Sequence, residues 1–527
     1  MFSKELHRKI YLFALVTSPL GLLLGRFPGS LPMVIMGANW LLEGGFTQKW
    51  KLLKNNVLFY VLISLFLLYV VGLLYSSHVD NAIEEIRIAL PMLALPLMVL
   101  SSAPIGKAEI RYTCMALILG CVLNTLWCLI YGFVLHHIEE GRNLSRFMSH
   151  IRLGMLIDLA FLACVYLMLT SKEVLGKLVY VLCMFYLLFV LYALSLMSGL
   201  VILLIVLCGI SLYYLLKQKL AYQILASTVF VVLILLGLRM ILQLSASQLQ
   251  GNISDYNAMK KENVKGRPYI CFDSLGVLEN GHYVYRNIQL EDLRRTWNKR
   301  VPTDTFSYSG QHNLKRYYVL LRYLSSAGLN KDEDGVLALS ATDIQNIRNN
   351  ITNVDFVYWS YLHKRLYELV NEYADFKNGG EVNGHSFALR LRYWQAAKMS
   401  IASHWFFGVG SGDVQASLDA IYEKHFPEIS KKYYLKPHNQ FLTVMMTYGI
   451  VGLLVFLCML FYPLFYLRKY LSPLYAVFFV ILMLSFITED TLGTQAGMGY
   501  YTIFNTLFCA TAYFKKQQIL GDLPESR

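Results

Sequence analysis

The chain has 527 residues, of which 56% are hydrophobic and 15% charged. Soluble globular domains carry about 25% charged residues, so this balance excludes an ordinary soluble protein and points to a polytopic membrane protein. The formal net charge of +13 gathers in short segments between apolar runs, where basic residues set membrane orientation, so charge alone gives no ground for a nucleic-acid partner.

A helix needs about 20 apolar residues to cross the hydrocarbon layer, and that test predicts about twelve spans. They fall near 10–25, 30–43, 57–75, 83–101, 109–135, 151–170, 174–197, 199–216, 221–243, 441–467, 472–487 and 498–514. The first follows a basic head with no small-x-small cleavage pattern before Arg26 and Pro28, and reads as an uncleaved anchor. The second is short. The fourth carries Glu84, Glu85, Arg87, Pro91 and Pro96, which predicts an interfacial start or a broken helix sheltered by protein.

Lysine and arginine alternate between the loops. Lys4, Arg8 and Lys9 precede the first span, Lys49, Lys51 and Lys54 follow the second, Lys107 and Arg111 the fourth, Lys172 and Lys177 the sixth. Lys217 and Lys219 follow the eighth, Arg468 and Lys469 the tenth, Lys515 and Lys516 the twelfth. The positive-inside rule then places both termini in the cytoplasm and the long segment after the ninth span outside it. Of the 9 cysteines, only Cys271 falls outside the spans, so neither a disulfide framework nor a Cys-rich metal site is available. Cys114, Cys121 and Cys128 recur every seven residues on one helix face, the pattern of small-residue packing.

The expected fold is therefore an all-α integral membrane protein with one large extracytoplasmic loop domain between spans nine and ten. Residues 1–243 form the N-terminal transmembrane region, 244–440 the loop domain and 441–527 the C-terminal transmembrane region. Within the loop, HNLKRYYVLLRYLSS has apolar positions at helical spacing, LSATDIQNIRNNI opens with a capping pattern, and VDFVYWSYLHKRLYELVNEYADF repeats aromatics at intervals of three and four. The loop reads as mainly helical, with no strand pattern long enough for a sheet.

Asn330, Asp332, Asp334 and Gly335 imitate half of a calcium loop, but Ala341 stands where a bidentate glutamate belongs, and an acidic turn between helices accounts for them. GVGSGD at 408–413 resembles a phosphate-cradling loop without the Lys-Ser/Thr of a P-loop. Its glycines predict a tight turn with close backbone approach, to a carrier or to the membrane helices. The tryptophans Trp297, Trp359, Trp394 and Trp405 have two readings, sugar stacking or an interface or core position; the second is favoured for each singly, with Trp394 set apart because it shares a helix face with Arg390.

The stretch from Phe387 to Leu453 concentrates the chemistry. Arg390 and Arg392 stand beside Trp394, which lies one helical turn from Arg390, and His438 and Asn439 precede an apolar run. An arginine fork grips phosphate oxygens, and a histidine moves a proton near neutral pH. The order R-x-x-x-W, G-V-G-S-G-D, then H-N-Q-F-L followed by G-I-V-G-L-L resembles the signature of the O-antigen ligase and polymerase family. The resemblance implies a bacterial inner-membrane glycosyltransferase that moves a glycan from an undecaprenyl-diphosphate carrier to an acceptor at the periplasmic face.

On that resemblance His438 activates the acceptor and Arg390 binds the diphosphate. Arg392, Trp394, Asp413 and Asn439 are expected to line the substrate site. The family's earlier arginine has no match beside Ser198, and Arg152, at the entrance of the sixth span, is the substitute candidate. For each, a bland reading stands beside the functional one: an interfacial cap for His438, a solvated charge for Arg390, a snorkelling charge for Arg152. The mechanism expected needs no metal, cofactor or nucleotide and inverts the anomeric centre. The acceptor is open among lipid A core, a growing polysaccharide and a protein, and membrane lipids are the remaining partners. A flippase of lipid-linked sugars is the alternative of another class; it favours paired broken helices over one asymmetric outer domain.

Overall fold

The computed structural model describes residues 3–135, 144–217, 261–271, 277–308, 311–377 and 382–520, with Thr228 and Arg239 as isolated positions. The predicted ninth span, 221–243, lies outside the described residues except at those two positions. The chain forms two compact units. One comprises Met1–Lys217, Tyr393–His425 and Tyr434–Arg527, the other Gln218–Arg392 and Phe426–Tyr433.

The first unit is built of apolar helices. α1 (Lys4–Leu23) starts at Ser3, whose side chain accepts from Leu6 N, and pairs with α2 (Arg26–Glu43). His7 and Asn39 join the two: the His7 ring lies 2.8 Å from Asn39 Oδ1, and Asn39 donates back to the His7 carbonyl at 3.0 Å. α3 (Phe46–Lys54) meets α4 (Val57–Leu73) at a bend of 92°. The predicted fourth span is a broken helix, α5 (Val79–Ala89) then α6 (Pro91–Leu100). Pro91 stands at the first position of α6, where its missing N–H costs no helical hydrogen bond.

α7 (Lys107–Leu129), α8 (His150–Thr170), α9 (Val174–Ala193) and α10 (Met197–Leu215) follow. Cys114, Cys121 and Cys128 are buried along α7, as their spacing predicts. Asn124, buried on the same helix, donates to the Leu23 carbonyl at 2.5 Å, so this polar group inside the apolar core is satisfied.

The second unit has its own core around Trp297, Leu320, Tyr323, Leu324 and Ile288. Its helices are α11 (Leu290–Arg300), α12 (Gln311–Ser326), α13 (Glu333–Ala338), α14 (Ala341–Arg348) and α15 (Tyr361–Lys377). Ser340 caps α14 and shares a capping box with Asp343, the pattern read from LSATDIQ. Asp332 of the calcium-like stretch caps α13, accepting from Gly335 N at 2.9 Å.

A strand pair, β1 (Leu278–Glu279) with β2 (His282–Tyr283), was not expected. Two residues a side leave no alternation to detect, yet the turn Asn280-Gly281, with φ of 50° and 83°, is the two-residue hairpin signal. Glu279 is wholly buried there and ionically matched: Arg322 Nε lies 2.5 Å from it, Asn353 donates at 2.9 Å and Tyr367 OH at 2.9 Å.

Among the described residues five α-helices follow α15: α16 (Ser386–Ser403), α17 (Val414–His425), α18 (Gln440–Tyr466), α19 (Pro473–Thr488) and α20 (Gln495–Ile519). Every residue of α20 from Gly497 to Ala510 is buried, so it is the central strut of the first unit. Five helices among the described residues are long and apolar enough to cross a membrane: Lys107–Gly132, α8, α9, α10 and α18. The bent pair α3 and α4 gives a sixth, and α19 is a shorter apolar helix.

Candidate active site

His438 sits on a short connection between α17 and α18 that is fixed from several sides within the first unit. Gln415 and Tyr422 of α17 donate to the carbonyls of Tyr434 and Leu435 at 3.1 and 2.7 Å. Trp394 of α16 donates from its indole nitrogen to the Pro437 carbonyl at 3.0 Å. His438 itself has φ of 50°, a left-handed conformation that a non-glycine residue adopts only when its surroundings impose it.

The imposing group is Asp490, in the turn between α19 and α20. Its carboxylate accepts from His438 N at 3.0 Å, from Asn439 N at 3.2 Å and from the Thr443 hydroxyl. Burial pushes the Asp490 carboxyl above the usual range, against the Thr443 hydroxyl and the charges of His438 and Lys436, which hold it down. Asn439 is the N-cap of α18: its side chain accepts from Leu442 N at 3.1 Å and donates to the Ile487 carbonyl at 3.1 Å. A cap of this kind contributes about 1 kcal/mol.

The neighbouring Glu489 reaches the histidine ring. Its Oε2 lies 3.3 Å from His438 Nδ1 and 4.0 Å from Arg152 Nη2, and its side chain is only 5% exposed. An ionised carboxylate only accepts, so it selects the tautomer with the proton on Nδ1 and leaves Nε2 as the basic nitrogen. Arg152, in the first turn of α8, donates from Nη1 to Ser149 Oγ at 2.8 Å. Its Nε is buried with no hydrogen-bond partner among the described residues. A small cleft lined by Tyr69, Glu85, Val414, Lys436, Val444 and Asp490 opens beside this cluster, with Lys436 Nζ 2.5 Å from Glu85 Oε1.

The glycine loop lies in the same unit and binds main chain. Val409 N and Gly410 N donate to the carbonyls of Met446 and Thr447 at 2.9 Å each, and Ile450 N donates to the Trp405 carbonyl at 2.8 Å. α18 is broken at this level, at Gly449 (φ 64°), whose added Cβ would stand 2.1 Å from the Phe406 carbonyl oxygen. The close approach predicted for GVGSGD is thus made to a membrane helix.

Asp413 continues the seam: it accepts from Ser77 N at 2.7 Å and His78 N at 2.9 Å, and its Oδ1 lies 2.5 Å from the His78 ring. Those contacts occupy it as the anchor of the start of α5. Desolvation raises its carboxyl, but the Ser77 and His78 N–H groups with the His78 ring outweigh this and hold it below the usual range.

The sequence candidates therefore divide. His438, Asn439, Trp394 and Arg152 converge on one cluster through Pro437, Asp490 and Glu489. Arg390 and Arg392 fall in the second unit; Arg392 Nε lies 3.1 Å from Glu428 Oε1, and the guanidinium stacks over Phe376 and Phe426 at 4.8 and 5.4 Å.

Residues 354–457 match the family model described as O-antigen ligase. Over that segment the chain is similar to the O-antigen ligase family. The matched segment contains Arg390, Trp394, the glycine loop and the His438-Asn439 pair, and ends within α18. No curated protein matches the chain. The ligase-type segment and the apolar helices together support a membrane protein with a glycosyltransferase-type domain.

Glu489, Asp490 and Lys436 escaped the sequence reading, and Glu85 was read only as a charge in the broken fourth span. Glu489 and Asp490 stand about 50 residues after His438, beyond any local spacing rule. The available signal was two acids at the end of an apolar span, where a carboxylate is costly unless it has work or a partner.

Proposed function

We propose that the protein transfers a glycan from a polyprenyl-diphosphate carrier, undecaprenyl diphosphate by family resemblance, to an acceptor hydroxyl at the extracytoplasmic face of the bacterial inner membrane. The observation that carries this reading is the Arg152–Glu489–His438 cluster, in which one carboxylate joins a cation whose buried Nε has no hydrogen-bond partner among the described residues to a histidine held through Nδ1.

In the proposed step the acceptor O–H gives its proton to His438 Nε2 as its oxygen attacks the anomeric carbon. The bond from that carbon to the diphosphate oxygen breaks, and the electron pair leaves with the diphosphate. Arg152 stabilises the leaving charge electrostatically, so no metal or nucleotide is required. Attack opposite the leaving group inverts the configuration. Asp490 and Trp394 hold the histidine loop, and Asn439 fixes the start of α18. The cleft along Glu85, Lys436 and Asp490 is the proposed approach for acceptor hydroxyls. About twelve spans with cytoplasmic termini remain the topology we adopt, because it puts His438 outside the cytoplasm.

Deleting the gene tests the reaction. One glycoconjugate, on lipid A core, polysaccharide or protein, disappears while its lipid-linked precursor accumulates; loss of the precursor itself places the protein upstream and contradicts transfer. Purified enzyme is expected to work in excess chelator, and activity that returns only with a divalent ion contradicts the mechanism.

A further inference from the structure

One oxygen of Glu489 serves both groups that the proposed reaction uses. Oε2 lies 3.3 Å from His438 Nδ1 and 4.0 Å from Arg152 Nη2. The carboxylate is almost wholly out of water, so its charge acts on both neighbours with little screening. Arg152 is held more firmly by Ser149 Oγ at 2.8 Å than by Glu489, and its buried Nε has no hydrogen-bond partner among the described residues. A guanidinium so placed can turn two N–H groups toward an incoming diphosphate with little loss of existing contacts.

We propose that Glu489 is a positioning residue that couples donor binding to the strength of the base. This rests on the function proposed above. Without donor, the Arg152 cation shares the Glu489 charge and opposes a proton on His438. A diphosphate on Arg152 neutralises that cation, the Glu489 charge then acts more fully on His438, and the ring's affinity for the acceptor's proton rises when the donor is in place. The free enzyme keeps a weaker base, which suits a site that must not activate water against its own carrier.

The other charged groups facing His438 do not make this link. Asp490 is engaged by the main-chain N–H groups of His438 and Asn439 and by Thr443. Lys436, on the same connection, is paired with Glu85 of α5. From α16 the ring of Tyr393 lies 5.9 Å from the His438 ring and carries no charge near neutral pH. Only Glu489 touches both His438 and Arg152 among the described residues.

The test follows carbethoxylation of His438 by diethyl pyrocarbonate against pH on the full chain in detergent, reading the His438 peptide by mass spectrometry. Inorganic pyrophosphate is the probe, with its binding measured by calorimetry on the same samples. In wild type the inflection is expected to rise by about one pH unit on saturation, a tenfold gain in proton affinity. Arg152→Gln is expected to show a similar rise without probe, and Glu489→Gln to lose most of both effects, alone and combined with Arg152→Gln. Glu489→Asp, which keeps the charge, is expected to restore part of the response.

A wild-type inflection that stays put with pyrophosphate bound overturns the coupling and leaves glycan transfer standing. The same holds for a rise that persists in full in Glu489→Gln. Failure of wild type to bind pyrophosphate overturns the diphosphate reading and the coupling together. If Glu489→Gln does not fold, Arg152→Gln without probe decides, and an unchanged inflection there overturns the proposal.

Discussion

At the scale of single residues, the same side-chain chemistry has been put to different uses, and position decides which. Asp413 and Asp490 are both carboxylates receiving main-chain N–H groups, one at the start of α5 and the other beneath His438. Asp413 has its carboxyl held below the usual range in the folded state. The folded protein therefore binds fewer protons there than the unfolded chain, so the stabilisation is complete above the unfolded value of about 3.9 and is lost as pH falls through the folded one. Asp413→Asn should melt lower than wild type in detergent at pH 6, and the gap should close as the pH approaches 3; a gap independent of pH contradicts the assignment. Arg390 lies in the segment that matches the O-antigen ligase model, and a two-pronged phosphate contact is the property lysine lacks. Arg390→Lys is expected to lose transfer by on the order of 10-fold or more, and normal turnover would make Arg390 a general surface charge. His438 and Arg390 were singled out through the motif resemblance, in a stretch that is contiguous in the sequence. Glu489 could not be, because its relation to His438 is made by the fold of a distant turn.

At the scale of elements, the glycine loop shows how far a pattern can be read. GVGSGD announces close backbone approach, because only glycine lets two main chains touch, but the pattern does not name the partner. The partner is the break in α18, where Gly449 faces Phe406 and Gly408 faces Thr447, each with positive φ. A Cβ at Gly449 would meet main-chain atoms of Phe406 at 2.1 and 2.2 Å, which no rotamer change relieves. Gly449→Ala is expected to cost at least about 2 kcal/mol, read as a lower melting temperature and reduced yield from the membrane. Wild-type stability would show that the break is not held by this contact. The helices of the loop domain were legible for ordinary reasons, apolar spacing for α12 and the Ser340 cap for α14. The β1–β2 hairpin was overlooked because its strands are two residues long, although Asn280-Gly281 carried the turn signal.

At the scale of the whole molecule, composition fixes a membrane protein, and the helices that cross it are legible to the extent that they are uniformly apolar. α8, α9, α10 and α18 pass that test plainly. α20 is harder to read as a span because its buried length includes Thr502, Asn505 and Thr506, polar residues that a central helix tolerates when protein surrounds it. Topology can be tested directly: a cysteine introduced near Gly335 should react with a membrane-impermeant thiol reagent once the outer membrane is opened, and one near Lys217 should not. The opposite pattern would invert the proposed orientation. The central claim is that His438 is the base in glycan transfer, and its most direct test measures donor binding and turnover separately in membrane-inserted His438→Ala. Retained binding of the polyprenyl-diphosphate donor with transfer reduced by on the order of 10² to 10⁴ is the expected result; transfer near the wild-type rate would contradict it.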